Sequence, residues 1–270
     1  MPIEQIIVLA IVQGLTEFLP ISSSGHLILV PILTGWRDQG LLVDVMTHMG
    51  SLLAVLVYFH KDVWGLVKGG VELLFGRMTD YGRLALIILA ATVPAVAFGL
   101  VLRKLGLTES FRSSELIAWN AIVWGVVMFV ADWFGRQEKH LADMRLAPAL
   151  LIGVAQALAL IPGTSRSGIT ITAARALGFT RPEAARFSFL LGIPAIAGAG
   201  ILVVGEAVES GETISTDALL TGGLTFFTAL AAIAILMAAV RRFSLLPFTI
   251  YRVLLGVLLL WLISVGLIQA

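Results

Sequence analysis

The stretch Gln13-Gly-Leu-Thr-Glu17-Phe-Leu-Pro20-Ile-Ser22-Ser23-Ser24-Gly25-His26 lies in the middle of a hydrophobic region, residues 5–34, that would otherwise read as one membrane helix. Pro20 removes a backbone donor, and Ser-Ser-Ser-Gly is turn chemistry, so the helix breaks there. Each remaining half is shorter than the roughly 20 apolar residues needed to cross about 30 Å of hydrocarbon. Two short helices joined by a polar turn at membrane depth predict a re-entrant hairpin. Such a turn is tolerated only where protein or a water-filled cavity satisfies its backbone groups. A pair of kinked spans is the other reading, since Pro and Gly also occur in continuous transmembrane helices.

The same break recurs in residues 147–178, at Pro162-Gly163-Thr164-Ser165-Arg166-Ser167-Gly168. From Gln13 to Gly25 and from Gln156 to Gly168 the spacing is identical, with Ser22 over Ser165 and Ser24 over Ser167. Around these regions the chain is 59% hydrophobic and 13% charged, against roughly 25% charged in soluble domains. Uninterrupted spans are expected at about 42–59, 84–102, 116–134, 187–205, 218–240 and 249–268. One all-α polytopic membrane domain follows, 1–270, with six transmembrane helices and two re-entrant helical hairpins. If each half, 1–134 and 147–270, is one hairpin plus three spans, the odd number of crossings inverts the second half relative to the first.

The start of the chain has neither a basic segment nor a small-residue cleavage site, so it reads as mature protein rather than a signal peptide. The absence of cysteine excludes disulfides and thiolate chemistry. Basic residues in the connecting segments divide unevenly. Twelve, from Lys61 to Arg242, fall on one side, and Arg37, Arg103, Lys104 and Arg112 on the other. The richer side is expected to be cytoplasmic. The acidic segment from Glu206 through Glu209 and Glu212 to Asp217 then faces out, and the first hairpin opens outward.

Ionisable residues within membrane segments are functional candidates by default. Glu17, His26 and Arg166 are the outstanding ones. Gln13 and Glu17 share a helix face, and Ser22 and Ser23 precede His26 by four and three residues, within reach of it. Serine hydroxyls and free N–H groups at a helix N-terminus suit an anion. Arg166 adds a fork that matches phosphate oxygens. A carboxylate beside phosphate calls for a divalent cation, so Glu17 with Gln13 reads as an oxygen donor set for Mg²⁺ or Ca²⁺. His26 can move a proton near neutrality. A structural Glu17–Arg166 pair, or a His26 that merely bonds a carbonyl, would give the same residues. Asp44 and His48, at i and i+4, line the cavity or pack helices. Asp132 reads as interfacial, and Arg186 and Arg252, near span ends, as snorkelling.

The segments Gln13 to His26 and Pro162-Gly-Thr-Ser-Arg-Ser-Gly-Ile-Thr170 resemble the two signature motifs of the undecaprenyl-diphosphatase, or bacitracin-resistance, family. Phe187-Ser-Phe-Leu-Leu and Leu246-Pro-Phe-Thr-Ile-Tyr-Arg252 resemble further family segments. The resemblance implies a bacterial inner-membrane enzyme that hydrolyses undecaprenyl diphosphate on the outer side with a divalent metal. Its products are inorganic phosphate and the undecaprenyl phosphate carrier used for peptidoglycan precursors. Carried over by position, the family's catalytic residues fall on Glu17, Ser23, His26 and Arg166, with Ser22, Ser24, Ser165, Ser167 and Thr170 around the phosphates. Gln13 stands where the family often has glutamate.

The expected chemistry is in-line attack by Ser23, activated by His26, with Glu17 holding metal and Arg166 stabilising charge. His26 or water as nucleophile remain open. A polyprenyl-phosphate transporter or flippase is the competing class, alone or combined with hydrolysis. An intramembrane serine protease lacks the G-x-S-x-G elbow. The expected partners are the lipid substrate and membrane lipid, with no nucleic acid; a homodimer is allowed for.

Overall fold

A computed structural model describes residues 1–106, 111, 113–211 and 213–269, so Arg112 and Glu212 lie outside the described residues. The described residues form eleven α-helices and one short 3-10 turn, Leu141–Asp143. The first half runs α1 (Ile3–Phe18), α2 (Ser23–Thr34), α3 (Leu41–Tyr58), α4 (His60–Leu74), α5 (Asp80–Lys104) and α6 (Ser114–Phe134). The second runs α7 (Leu146–Leu158), α8 (Arg166–Ala176), α9 (Arg181–Glu209), α10 (Thr216–Ala239) and α11 (Leu246–Ser264).

Six helices, α3, α5, α6, α9, α10 and α11, are long and apolar enough to cross a membrane. The chain is a multi-pass membrane protein. Each expected span meets one of these helices within a few residues, except that α9 begins six residues earlier than 187 and ends beyond 205, at Glu209. Both interrupted regions are helix pairs, α1–α2 and α7–α8. Their members are 16, 12, 13 and 11 residues long, about 16 to 24 Å at 1.5 Å per residue. None of the four crosses about 30 Å alone. The helix α4 lies between the first two expected spans, 42–59 and 84–102, where the sequence reading places no element.

The two helix pairs sit inside the bundle. Phe18, at the end of α1, is buried in the main core beside Phe187, Phe189 and Leu191 of α9 and Ile171 of α8. The Phe18 and Phe189 rings meet edge to face at 5.2 Å. Gly14 lets α1 lie directly on α10, since a Cβ there would overlap Thr228. Close packing of small residues is how helices associate when lipid removes the hydrophobic drive between them.

Candidate active site

The two turns have the same backbone. Ser22 (φ 77°, ψ 91°) and Ser165 (φ 73°, ψ 113°) are the only non-glycine residues with positive φ among the described residues. Each caps the helix that follows: Ser22 Oγ accepts from Gly25 N at 3.4 Å, and Ser165 Oγ from Gly168 N at 3.1 Å. Such a conformation costs on the order of 1–3 kcal/mol and persists only where the surroundings impose it.

The imposing groups are visible. Arg252 of α11 is 1% exposed, has no carboxylate partner among the described residues, and donates to five backbone carbonyls. One is Pro20 O of the first turn (3.3 Å), two are Gly163 O (2.9 Å) and Thr164 O (3.0 Å) of the second, and Asn120 O and Ala121 O belong to α6. Arg252 is therefore a staple between the turns rather than a snorkelling residue. Ser167 Oγ adds a second link, bonding Glu17 O and Leu19 O at 3.1 Å each.

Glu17 is the hub of the polar cluster, buried at 5% exposure. Its Oε2 accepts from Ser23 Oγ at 2.7 Å and from Gln13 Nε2 at 3.0 Å, and faces His48 Nε2 at 3.5 Å. Its Oε1 accepts from Arg166 Nη2 at 3.2 Å. The two turns thus meet on one carboxylate, and Ser23 and Arg166 are its neighbours from opposite halves of the chain. Arg166 Nη1 is fixed on Ser188 O at 3.1 Å, while Nε is buried without a hydrogen-bond partner among the described residues. Gly192 makes room for the guanidinium, which a Cβ there would overlap.

Other residues are placed differently from expectation. Ser23 donates its hydrogen bond to Glu17, and His26 takes other partners. His26 Nδ1 lies 2.6 Å from Ser22 O and Nε2 lies 2.6 Å from Tyr251 Oη. A carbonyl can only accept, so Nδ1 carries the proton and Nε2 accepts from the tyrosine. The rings are stacked, with centroids 5.8 Å apart. Ser24 is half-buried in the first turn of α2. Ser22, Ser165 and Ser167 have the partners already described. Thr170 Oγ1 bonds Arg166 O and Ser188 Oγ, each at 2.7 Å. These four hydroxyls build the site's walls. The N–H groups of Ser23, Ser24, Arg166 and Ser167, in the opening turns of α2 and α8, stand outside the i to i−4 ladder.

Three further residues join the site: His48, which spacing offered as lining the cavity or packing helices, and Ser188 and Tyr251, which it did not. His48 had a signal in its i, i+4 relation to Asp44, whose carbonyl accepts from Nδ1 at 2.7 Å. Ser188 and Tyr251 had none from spacing; they lie in two of the family-like segments. Away from the site, Asp132 is not interfacial but buried, bonded by Arg175 Nε (2.9 Å), Arg181 Nε (2.7 Å) and Leu245 N (2.9 Å). Arg186 does not snorkel; it is bound to Asp62 of α4.

Among the described residues no three His, Cys, Asp or Glu side chains cluster as a metal cage. The donors that do occur fit a cation shared with a ligand. Gln13 Oε1 is buried with no hydrogen-bond partner among the described residues, one helical turn from the Glu17 carboxylate. Mg²⁺ is commonly held in this way, by one or two protein oxygens plus phosphate and water.

Residues 6–258 match the family model described as bacitracin resistance protein BacA. Among similar curated proteins, the undecaprenyl-diphosphatase of Erythrobacter litoralis is 51% identical, over 95% of this chain and 98% of the relative. That of Maricaulis maris is 49% identical over 94% and 97%. That of Alcanivorax borkumensis is 48% identical over 96% and 98%.

Proposed function

The chain belongs to the bacitracin resistance protein family and is an undecaprenyl-diphosphatase; from that premise we propose that Ser23 is its nucleophile and Glu17 the group that receives the serine proton. The observation that carries the proposal is the shared carboxylate, with Ser23 at 2.7 Å and Arg166 at 3.2 Å. Ser23 Oγ attacks the terminal phosphorus as its proton passes to Glu17 Oε2. The bond from phosphorus to the bridging oxygen breaks, and undecaprenyl phosphate leaves as an anion that needs no proton. Water then displaces the serine from phosphorus, Glu17 returns the proton to Ser23, and the water proton goes to His26 Nε2.

Each remaining group has a role consistent with its contacts. Arg166, with Nη1 already fixed on Ser188, offers Nη2 and its unpaired Nε to phosphate oxygens. The free N–H groups at the starts of α2 and α8 add dipoles of the same sign. Glu17 and Gln13 Oε1 would hold a divalent cation, Mg²⁺ or Ca²⁺, which supplies charge neutralisation to the diphosphate when bound. His26 is oriented by the Ser22 carbonyl, and Tyr251 must release Nε2 before it accepts a proton. His26 thereby acts on water rather than on Ser23.

We also read the two halves as an inverted repeat, each with one helix pair followed by three spans. The identical offsets and the shared positive-φ serines support this. The asymmetry of basic residues supports an outward-facing first turn in a bacterial inner membrane.

Trapping the phosphoenzyme tests the chemistry. After brief reaction with a polyprenyl diphosphate and acid quench, mass spectrometry is expected to locate phosphate on Ser23. Phosphate on His26 would overturn the assignment.

A further inference from the structure

Among the described residues helix α4 has no counterpart in the second half: the next helix after α9 is the span α10, whereas α4 intervenes between α3 and α5. At 15 residues it is about 22 Å long, too short to cross. Its two faces differ sharply. On the inner face Asp62 is buried, bonded to Arg186 of α9 and accepting from Tyr81 Oη at 3.1 Å. Gly65 lies on the Tyr81 ring and Gly69 on the backbone of Gly82, at the start of α5. This face fixes the helix to the bundle. The opposite face carries Trp64 (70% exposed), Val67, Val71, Leu74 (84% exposed) and, one residue past the end, Phe75. These positions, i, i+3, i+7, i+10 and i+11, form one stripe along a 3.6-residue period.

Charge decides what covers that stripe. Lys61 and Lys68 are exposed along one edge, with exposed Arg77 just beyond the helix. Of the two carboxylates on the helix, Asp62 is turned inward and Glu72 is spanned by Lys68 at 4.0 Å. An apolar stripe with a tryptophan, edged by lysines, is the composition of a helix that lies in the headgroup layer. We infer that α4 is an interfacial helix, with its Trp64 to Phe75 face embedded in one leaflet and Lys61, Lys68 and Arg77 binding anionic phospholipid headgroups. The inward pairing of Asp62 contributes twice: it anchors the helix and removes a negative charge from the lipid side.

The chain contains no cysteine, so the single-cysteine variant Val71→Cys can be spin-labelled without background. The labelled full-length protein is placed in vesicles of phosphatidylcholine, with or without phosphatidylglycerol, after its hydrolytic rate is found equal to that of the parent. Collisions with oxygen are expected to exceed those with a water-soluble nickel chelate, at a depth of about 5–10 Å. The depth should increase when phosphatidylglycerol is present. Adding Lys61→Glu and Lys68→Glu should abolish that increase. A label freely reached by the nickel chelate overturns the interfacial placement, and dipolar broadening between labels would assign the face to a second copy of the chain. Equal depth in both vesicles, or an increase that survives the charge reversals, overturns the headgroup role.

Discussion

The two interrupted helix pairs share a backbone and divide the chemistry. In each, a serine with φ near 75° caps the residue three positions later. Yet at the common offset Glu17 of the first pair lies over Leu160 of the second, and Ser23 over Arg166. One turn brings the carboxylate and the hydroxyl, the other the guanidinium. Neither is a site alone. A repeated scaffold supplies position, and the difference between copies supplies opposite charges that meet across the interface. The resulting Glu17–Arg166 contact is also costly to leave half-made, since a buried charge without its partner is strongly unfavourable.

That division can be broken from either side. Glu17→Gln keeps the shape but removes the acceptor for the Ser23 proton, and kcat should fall on the order of 10³-fold. Phosphate release from a polyprenyl diphosphate by the purified protein measures it. Arg166→Lys keeps a charge and loses the fork. A fall in kcat/KM of about 10²-fold is expected, and a near-normal rate would remove Arg166 from the site.

The next change acts on the scaffold common to both turns. Arg252→Met withdraws the staple and leaves five carbonyls to find other partners. A loss of about 3 kcal/mol in stability is expected, read as a lower midpoint of thermal unfolding in detergent, together with reduced activity. Ser22→Ala and Ser165→Ala remove one cap each and should cost about 1 kcal/mol apiece. The two turns share a backbone, so the losses should be similar, with Ser165→Ala the larger because its cap is shorter, 3.1 against 3.4 Å, and its Oγ also lies 3.4 Å from Ser167 Oγ. A much larger loss of activity for Ser22→Ala would mean that its position beside Ser23 and His26 matters beyond the cap.

Much of this was legible in the sequence because it depends on local rules. Span length against bilayer thickness gave the six long helices. Pro20, Pro162 and the serine-glycine runs marked the breaks, and equal spacing marked the likeness between them. Glu17, Ser23, His26 and Arg166 stood out because polar groups in apolar segments are expensive. The helix α4 was missed because its apolar residues are diluted by Lys61, Lys68, Glu72 and three glycines, so it resembles a loop when read for spans.

What only the tertiary structure decided was which polar group meets which. Residue spacing fixes neighbours three or four positions apart on one helix, and nothing further. His26 was close enough to Ser23 in the chain to suggest a pair, but helix α11 brings Tyr251 to His26 and leaves Ser23 to Glu17. Arg252 and Asp132 looked like residues at a water boundary because they lie near helix ends. Both are interior, since α11 and α6 converge on the turns and on Arg175, respectively. The sequence determined that two polar turns must be sheltered inside a membrane bundle. Packing between helices distant in the chain determined that they shelter one another, with a single carboxylate between them.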